Sequence, residues 1–376
     1  MANNEKRPAT QSAAAKKKQA KKNNKIIIFA VEILVIVVLL GALWYFRDVL
    51  FGDDGTKDGE KGPTILDVDF NEDEIAINDQ VKDNEHMQGY FNVALFGVDS
   101  RSGELAKGTL SDSIMIASIN MDTGDVRLVS VYRDTYLNLS NDKYGKCNSA
   151  YSYGGAEQAL KMLNMNLDLD ITEFVTIGFE GLSGVIDALG GVYLDVDKEE
   201  LEHINNYQKT MAEDMQVAWE PVEETGYQLL NGLQATAYCR IRYRTGNDFA
   251  RAASQREVIQ AIVDIAKTSD LATLTKVAND MSPYVYTSFS LDEIISMLGD
   301  IGDYEIVEEL GFPNSDMRGT GTLGSKGSCV YAIDLVDNVI WLHEELFGDE
   351  NYVPSKEVEA CSQEIHDFVS QYVDLP

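Results

Sequence analysis

Histidine and cysteine are scarce in this chain of 376 residues. The four histidines, His86, His203, His343 and His366, are scattered, and no Cys-x-x-Cys pair accompanies them. That excludes the ligand spacing of a zinc site. Basic residues are short too: 31 Lys and Arg face 62 Asp and Glu, for a formal net charge of −31. Binding to nucleic acid needs a basic face against phosphates, so no nucleic acid is expected as a partner. No internal repeat is visible. The Gly/Ser-rich stretch GTGTLGSKGS (319–328) lacks the Gly-Lys-Ser/Thr ending and following helix of a phosphate loop, and reads as a flexible surface loop. Apolar residues at 44% and charged residues at 25% are ordinary for a globular protein, which excludes wholesale disorder. The length allows one full core and a smaller appendage.

The charge that is present lies unevenly. Residues 1–25 carry eight Lys and Arg against one Glu, whereas residues 47–376 hold −37. Between these parts runs IIIFAVEILVIVVLLGALWYF (26–46). As a helix it would reach roughly 31 Å, enough to cross a ~30 Å hydrocarbon core. Trp44 and Tyr45 stand where an interfacial aromatic belt belongs, and Lys16 to Lys25 form the basic flank that stays cytoplasmic. The expectation is a single-pass cell-membrane anchor with residues 1–25 inside and the main domain extracellular. A cleaved signal peptide is the rival reading, but the apolar run is too long for one and no small-x-small site follows. Glu32 reads as a snorkelling or paired carboxylate. Residues 47–90, acidic and poor in large apolar side chains, read as a stalk.

From residue 91 strand and helix patterns alternate. DSIMIASIN (112–120) and DVRLVSVYRD (125–134) read as strands joined by a turn, and GGAEQALKMLNMNL (154–167) as a helix. EFVTIGF, EGLSGVIDALGG and VYLDV follow as strand, helix and strand, a βαβ unit. TAYCRIRYR (236–244) reads as a strand and DFARAASQREVIQAIVDIAK (248–267) as a helix. The pattern predicts an α/β fold, a central mixed β-sheet flanked by helices over 91–268, with a small α/β extension over 269–376. Cys147, Cys239, Cys329 and Cys361 allow three disulfide pairings; Cys329 with Cys361 and Cys147 with Cys239 stands against four free thiols.

Guanidinium groups, unlike cations in general, are gathered. CRIRYRTGNDFARAASQR (239–256) holds five of them. In a strand Arg240, Arg242 and Arg244 would share one face, an unfavourable row unless an anion meets it. Asn247 or Asp248 would cap a helix presenting Arg251 and Gln255 four residues apart, on the stripe that continues through Val258, Ile262 and Ile265 into the core. A helix amino terminus and arginines converging in this way would hold phosphate. Asp99 and Asp112 fall at strand ends, where two carboxylates plus diphosphate oxygens suit Mg²⁺. Arg133 and Asp134 end a buried strand, where arginine needs a partner. The competing reading is plain turn capping for the aspartates and ordinary salt bridging for each arginine.

In order and spacing, FGVDSR, LSDSIMIASIN, SVYRDTYL, KCNSAYSYGG, VIDALGGV and RIRYRTGNDFARAASQ resemble the LytR-CpsA-Psr family of bacterial envelope proteins over roughly residues 91–268. The resemblance implies a phosphotransferase that moves a glycopolymer from a polyprenyl-diphosphate carrier to peptidoglycan. It implies Asp99 and Asp112 as ligands of Mg²⁺ on the diphosphate. Arg101, Arg133, Arg240, Arg242, Arg251 and Gln255 would grip the diphosphate oxygens. Arg133, Asp134 and Arg240 would form the catalytic group, with Asp134 orienting the arginine or assisting the acceptor hydroxyl. An apolar tunnel would take the polyprenyl tail. Two positions depart from the family pattern: Leu110 and Ser254 stand where arginine is common, with Arg244 and Arg256 as nearby substitutes. The rival functions are a weakened binding module for lipid-linked glycan, a polyprenyl-diphosphate pyrophosphatase, and a transcriptional attenuator.

Overall fold

A computed structural model describes residues 74–99, 105–141, 143–242, 248–299 and 301–375. The basic tail, the apolar span 26–46, most of the stalk, Arg101, Arg244 and Asn247 lie outside the described residues. Among the described residues no helix is long and apolar enough to cross a membrane.

The centre is a six-stranded mixed sheet. It is built from β1 (Tyr90–Val98), β2 (Ser111–Asn120), β3 (Asp125–Val131), β6 (Glu173–Gly178), β9 (Val285–Thr287) and β10 (Glu305–Phe312), in the order β10-β3-β2-β1-β6-β9. Neighbours β1/β2, β2/β3 and β6/β9 run antiparallel; β1/β6 and β10/β3 run parallel. Alternate side chains enter two separate cores. Val93, Leu95, Met115, Ala117 and Leu128 face one, while Ala94, Phe96, Ile114, Ile116 and Val129 face the other. A sheet buried on both faces reads as near-continuous apolar runs, which is why these strands are legible in the sequence.

The first core is covered by α3 (Phe179–Ala188), α4 (Lys198–Met215), α5 (Gly232–Tyr238), α6 (Asp248–Thr268) and α7 (Leu271–Met281). The second is covered by α2 (Ser149–Leu167), α9 (Leu335–Phe347) and α10 (Lys356–Val369). The remaining helices are α1 (Asp79–Lys82) and α8 (Leu291–Leu298). The expected mixed α/β sandwich is therefore the fold.

Several local expectations are corrected. Strand β7 (Val192–Val196) does not return to the central sheet to close a βαβ unit; it pairs antiparallel with β8 (Gly226–Leu230) in a separate two-stranded sheet. The described part of the expected strand, 236–242, is not a strand, because α5 extends to Tyr238 and its capping residue is Cys239. The Gly/Ser-rich stretch is a hairpin of β11 (Arg318–Thr322) and β12 (Ser328–Ala332). Past residue 268, β9 and β10 complete the sheet. At the other end, Ile75, Val81 and Met87 are buried, so the part of the expected stalk from residue 74 belongs to the fold. All four cysteines are free and buried. Cys147 and Cys239 lie in the two different cores, with the sheet between them.

Candidate functional site

The first three strands end together, and their ends supply carboxylates. Asp99 follows β1. Asp112 sits at a bulge in β2, where the register slips so that Gly97 opposes Ser113 while Val98 opposes Ser111. A bulge bends its strand and re-aims a side chain, and here it serves Asp112. Arg133 and Asp134 follow β3 in a tight turn. Across from them stand the residues after α5 and the first turns of α6.

Most of these groups form one network, and the Arg240–Asp99 pair stands beside it at the end of β1. Arg133 donates from Nη1 to Asp112 Oδ1 at 2.6 Å, and its Nε lies 3.9 Å from Asp134 Oδ2 and 3.8 Å from Asp248 Oδ1. Arg242 Nη2 is 3.6 Å from the other oxygen of Asp112. Arg251 Nη2 is 2.9 Å from Asp248 Oδ1, Arg240 Nη2 is 3.9 Å from Asp99 Oδ2, and Lys146 Nζ is 3.1 Å from Asp134 Oδ1. Asp99, Asp112, Arg133, Asp134, Arg240, Arg242 and Arg251 are thus brought together; Arg101 lies outside the described residues. Asp248, expected only as a helix cap, is a hub holding Arg133 and Arg251. Lys146 carried no signal of its own beyond its place in KCNSAYSYGG. Arg256 does not replace a missing arginine, because it bonds Glu309 and Ser130 on the sheet edge. Leu110 is exposed and Ser254 fully buried.

Two donors in the network are unsatisfied: Arg133 Nε and Arg251 Nη1 are buried without a hydrogen-bond partner. A buried donor left unpaired costs the full desolvation of that group, so such groups point to a ligand. The electrostatics agree. Burial pulls the Arg251 guanidinium down to about 10; Arg133 and Arg242 pull the same way, against Asp248 and Asp112. For Arg133 burial pulls downward as well, but Asp112, Asp134 and Asp248 outweigh it and hold its pKa above the ordinary value. Both arginines are charged at neutral pH, and the more crowded one gains most from an added anion.

An apolar cavity opens beside the network, between the sheet, α3 and α6. Leu95, Met115, Val175, Ile177, Leu182 and Val258 line it. Gln255 lines it too, one helical turn after Arg251. Phe179 stands at the boundary: its ring borders the cavity, while the Arg240 guanidinium lies 4.4 Å over its centroid. A second recess, with Asp99, Glu180, Asp214 and Arg240 in its wall, adjoins the same corner. Cationic head and apolar trough are contiguous. That shape accepts an amphipathic anion.

Among the described residues no group of three or more His, Cys, Asp or Glu side chains could hold a metal alone. Asp99 and Asp112 still offer hard oxygen ligands at the same end of paired strands. This donor set suits Mg²⁺ when the ligand's own oxygens and water complete the shell.

Known proteins share this arrangement of elements. The structure of TagT bound to LIIa-WTA superposes with a TM-score of 0.57 at 21% identity, over 72% of this chain and 94% of that one. The structure of TagT with bound octaprenyl pyrophosphate lipid does so with a TM-score of 0.53 at 20% identity, over 79% and 100%. In sequence, the polyisoprenyl-teichoic acid–peptidoglycan teichoic acid transferase TagV of Bacillus subtilis (strain 168) is 27% identical over 214 residues, 55% of this chain. The chain spans about half the length of that relative, 52%. The LytR_cpsA_psr family model matches residues 65–333. That match covers well over half of the sequence and includes every residue of the network, so the chain belongs to the LytR_cpsA_psr family.

Proposed function

We propose that the chain is a membrane-anchored phosphotransferase. It moves a glycopolymer from a polyprenyl-diphosphate carrier to peptidoglycan on the outer side of the cell membrane. The observation that carries this reading is the contiguity of two unsatisfied arginine donors with an apolar cavity. A lipid diphosphate matches both, with its prenyl chain among Leu95, Ile177 and Val258 and its phosphates against Arg133, Arg240, Arg242 and Arg251. The names of the relatives, teichoic acid transferases, support the same substrate class.

In the reaction an acceptor hydroxyl oxygen on peptidoglycan bonds to the phosphorus next to the glycan. The P–O–P bridge breaks, lipid monophosphate leaves, and the hydroxyl proton is released to water. The protein's main service in such a transfer is charge stabilisation at the phosphoryl oxygens. Arg133 and Arg251 aim their free donors there, and Arg240, backed by the Phe179 ring, closes the side facing the lipid. Asp134, held by Lys146, positions Arg133. Among the described residues five cationic side chains, Arg133, Lys146, Arg240, Arg242 and Arg251, meet four carboxylates, Asp99, Asp112, Asp134 and Asp248. One surplus cation does not balance a diphosphate. Mg²⁺ on Asp99 and Asp112 would supply the remaining charge as Lewis acid and template.

Given Mg²⁺ and a polyprenyl-diphosphate glycan, the purified protein is expected to transfer glycan to peptidoglycan fragments. Arg133→Ala or Asp112→Ala should lower the rate at least ~100-fold, the scale of one lost transition-state contact. Unchanged transfer in both variants would refute this site. The exposed Leu110, where the resemblance implies arginine, favours one second reading: a weakened binding module for lipid-linked glycan, seen as tight binding without turnover.

A further inference from the structure

The β11–β12 hairpin grips the arginine network from outside it. Arg318, the first residue of β11, lays its guanidinium 3.9 Å over the Phe249 ring and 4.8 Å over the Tyr132 ring. The two rings meet edge to face, 4.6 Å between centroids at 84°. Arg318 Nη1 donates to Tyr132 Oη at 3.0 Å and to the Pro313 carbonyl at 3.1 Å. On the other strand of the hairpin, Val330 N donates to the Asp134 carbonyl at 3.0 Å. Tyr132 and Phe249 are the chain neighbours of Arg133 and Asp248, the pair 3.8 Å apart at the centre of the network. Tyr132 comes from the end of β3 and Phe249 from the first turn of α6, two elements distant in sequence.

Space has been made for this arrangement. A Cβ on Gly311 in β10 would fall 2.0 Å from Tyr132 Oη, so any larger residue there displaces the ring. Tyr132 N also bonds the Phe312 carbonyl at 3.0 Å, fixing the backbone beside Arg133. A guanidinium lying over two rings and bonded at its edge is a stiff joint, because cation–π attraction and hydrogen bonds hold it from two sides.

We infer that Arg318 is a positioning residue for the transfer reaction: by clamping Tyr132 to Phe249 it sets Arg133 against Asp248 and so aims Arg133 at the diphosphate. It touches no substrate. This rests on the proposed transferase reading for its role in turnover, but the aim of Arg133 also governs binding of a bare diphosphate, which that reading does not decide.

The test uses the full chain with Arg318→Met, Arg318→Lys and Gly311→Ala. Three quantities are measured for each: unfolding temperature, affinity for inorganic diphosphate with Mg²⁺, and kcat and KM for glycan transfer. Arg318→Met, of similar length and without charge, is expected to weaken diphosphate binding and lower kcat about tenfold or more, with KM for the lipid substrate changed less because the cavity is untouched. Arg318→Lys should recover part of the loss, since an ammonium still sits over the rings. Gly311→Ala should reproduce the Arg318→Met pattern through displacement of Tyr132, whatever its effect on unfolding. Wild-type diphosphate affinity and kcat in Arg318→Met would overturn the inference. So would losses that vanish when each variant is assayed at an equal margin below its unfolding temperature, which is the signature of a purely structural contact. If the wild type binds diphosphate but transfers nothing, the transferase reading falls while the diphosphate comparison among variants still decides the role of Arg318.

Discussion

Arg251 is a cation that the fold holds at a cost. Only 5% of it is exposed, its Nη1 has no hydrogen-bond partner, and burial with Arg133 close by pulls its pKa down from the ordinary value to about 10. A cation whose folded pKa is lowered destabilises the fold wherever it is charged, which here means at every pH below about 10. The penalty is on the order of 3 kcal/mol at neutral pH. Replacing Arg251 by leucine should therefore leave thermal stability equal or higher at pH 7, because Asp248 keeps Arg133 as a partner. The same variant should lose the rise in unfolding temperature that inorganic diphosphate gives the wild type. An Arg251→Leu protein that unfolds well below the wild type, yet still responds to diphosphate, would show that the residue is structural. Paying stability for function in this way is expected of a binding site and not of an ordinary surface ion pair.

At the scale of elements, α5 decides where Arg240 and Arg242 go. Its amino terminus is closed by a capping box, in which Gln234 N donates to Asn231 Oδ1 at 2.9 Å and Asn231 N donates to Gln234 Oε1 at 3.0 Å. Asn231→Ala should cost about 1 kcal/mol in denaturant unfolding, and because Arg240 lies two residues past the helix end, it should weaken diphosphate binding as well. A stability loss with unaltered binding would separate the helix from the site. This element was also the least legible. All seven residues from Gly232 to Tyr238 are buried, so no polar face exists to reveal a helical period, and the alternation Tyr-Cys-Arg-Ile-Arg imitates a strand. Arg240 and Arg242 are brought to the carboxylates without strand geometry: they leave a turn and reach Asp99 and Asp112 respectively. Helix α6, in contrast, was legible because Arg251, Gln255, Val258 and Ile262 continue one stripe into the core. The central strands were legible from their apolar runs. The roles of Asp248, Lys146 and Arg318 were not, since each depends on contacts between distant segments that no local pattern records.

The whole molecule joins two halves of its site across a sheet. Asp99 and Asp112 arrive on β1 and β2, Arg133 and Asp134 just after β3, and Asp248 with the remaining arginines of the network from the helical layer over one face, with the apolar cavity between that layer and the strands. The hairpin from the carboxy-terminal third closes the arrangement, which gives the residues after 268 a part in the site as well as in the sheet. Nothing about this geometry favours a free phosphate or a free lipid alone; it favours a molecule that is both. Calorimetric titration of the full chain with octaprenyl diphosphate, octaprenol and inorganic diphosphate, each with Mg²⁺, tests this most directly. Octaprenyl diphosphate is expected to bind at least tenfold more tightly than either fragment, and Val258→Trp, which fills the cavity, to reduce its affinity toward that of inorganic diphosphate. An octaprenyl diphosphate that binds no better than inorganic diphosphate, or is indifferent to Val258→Trp, would contradict this expectation.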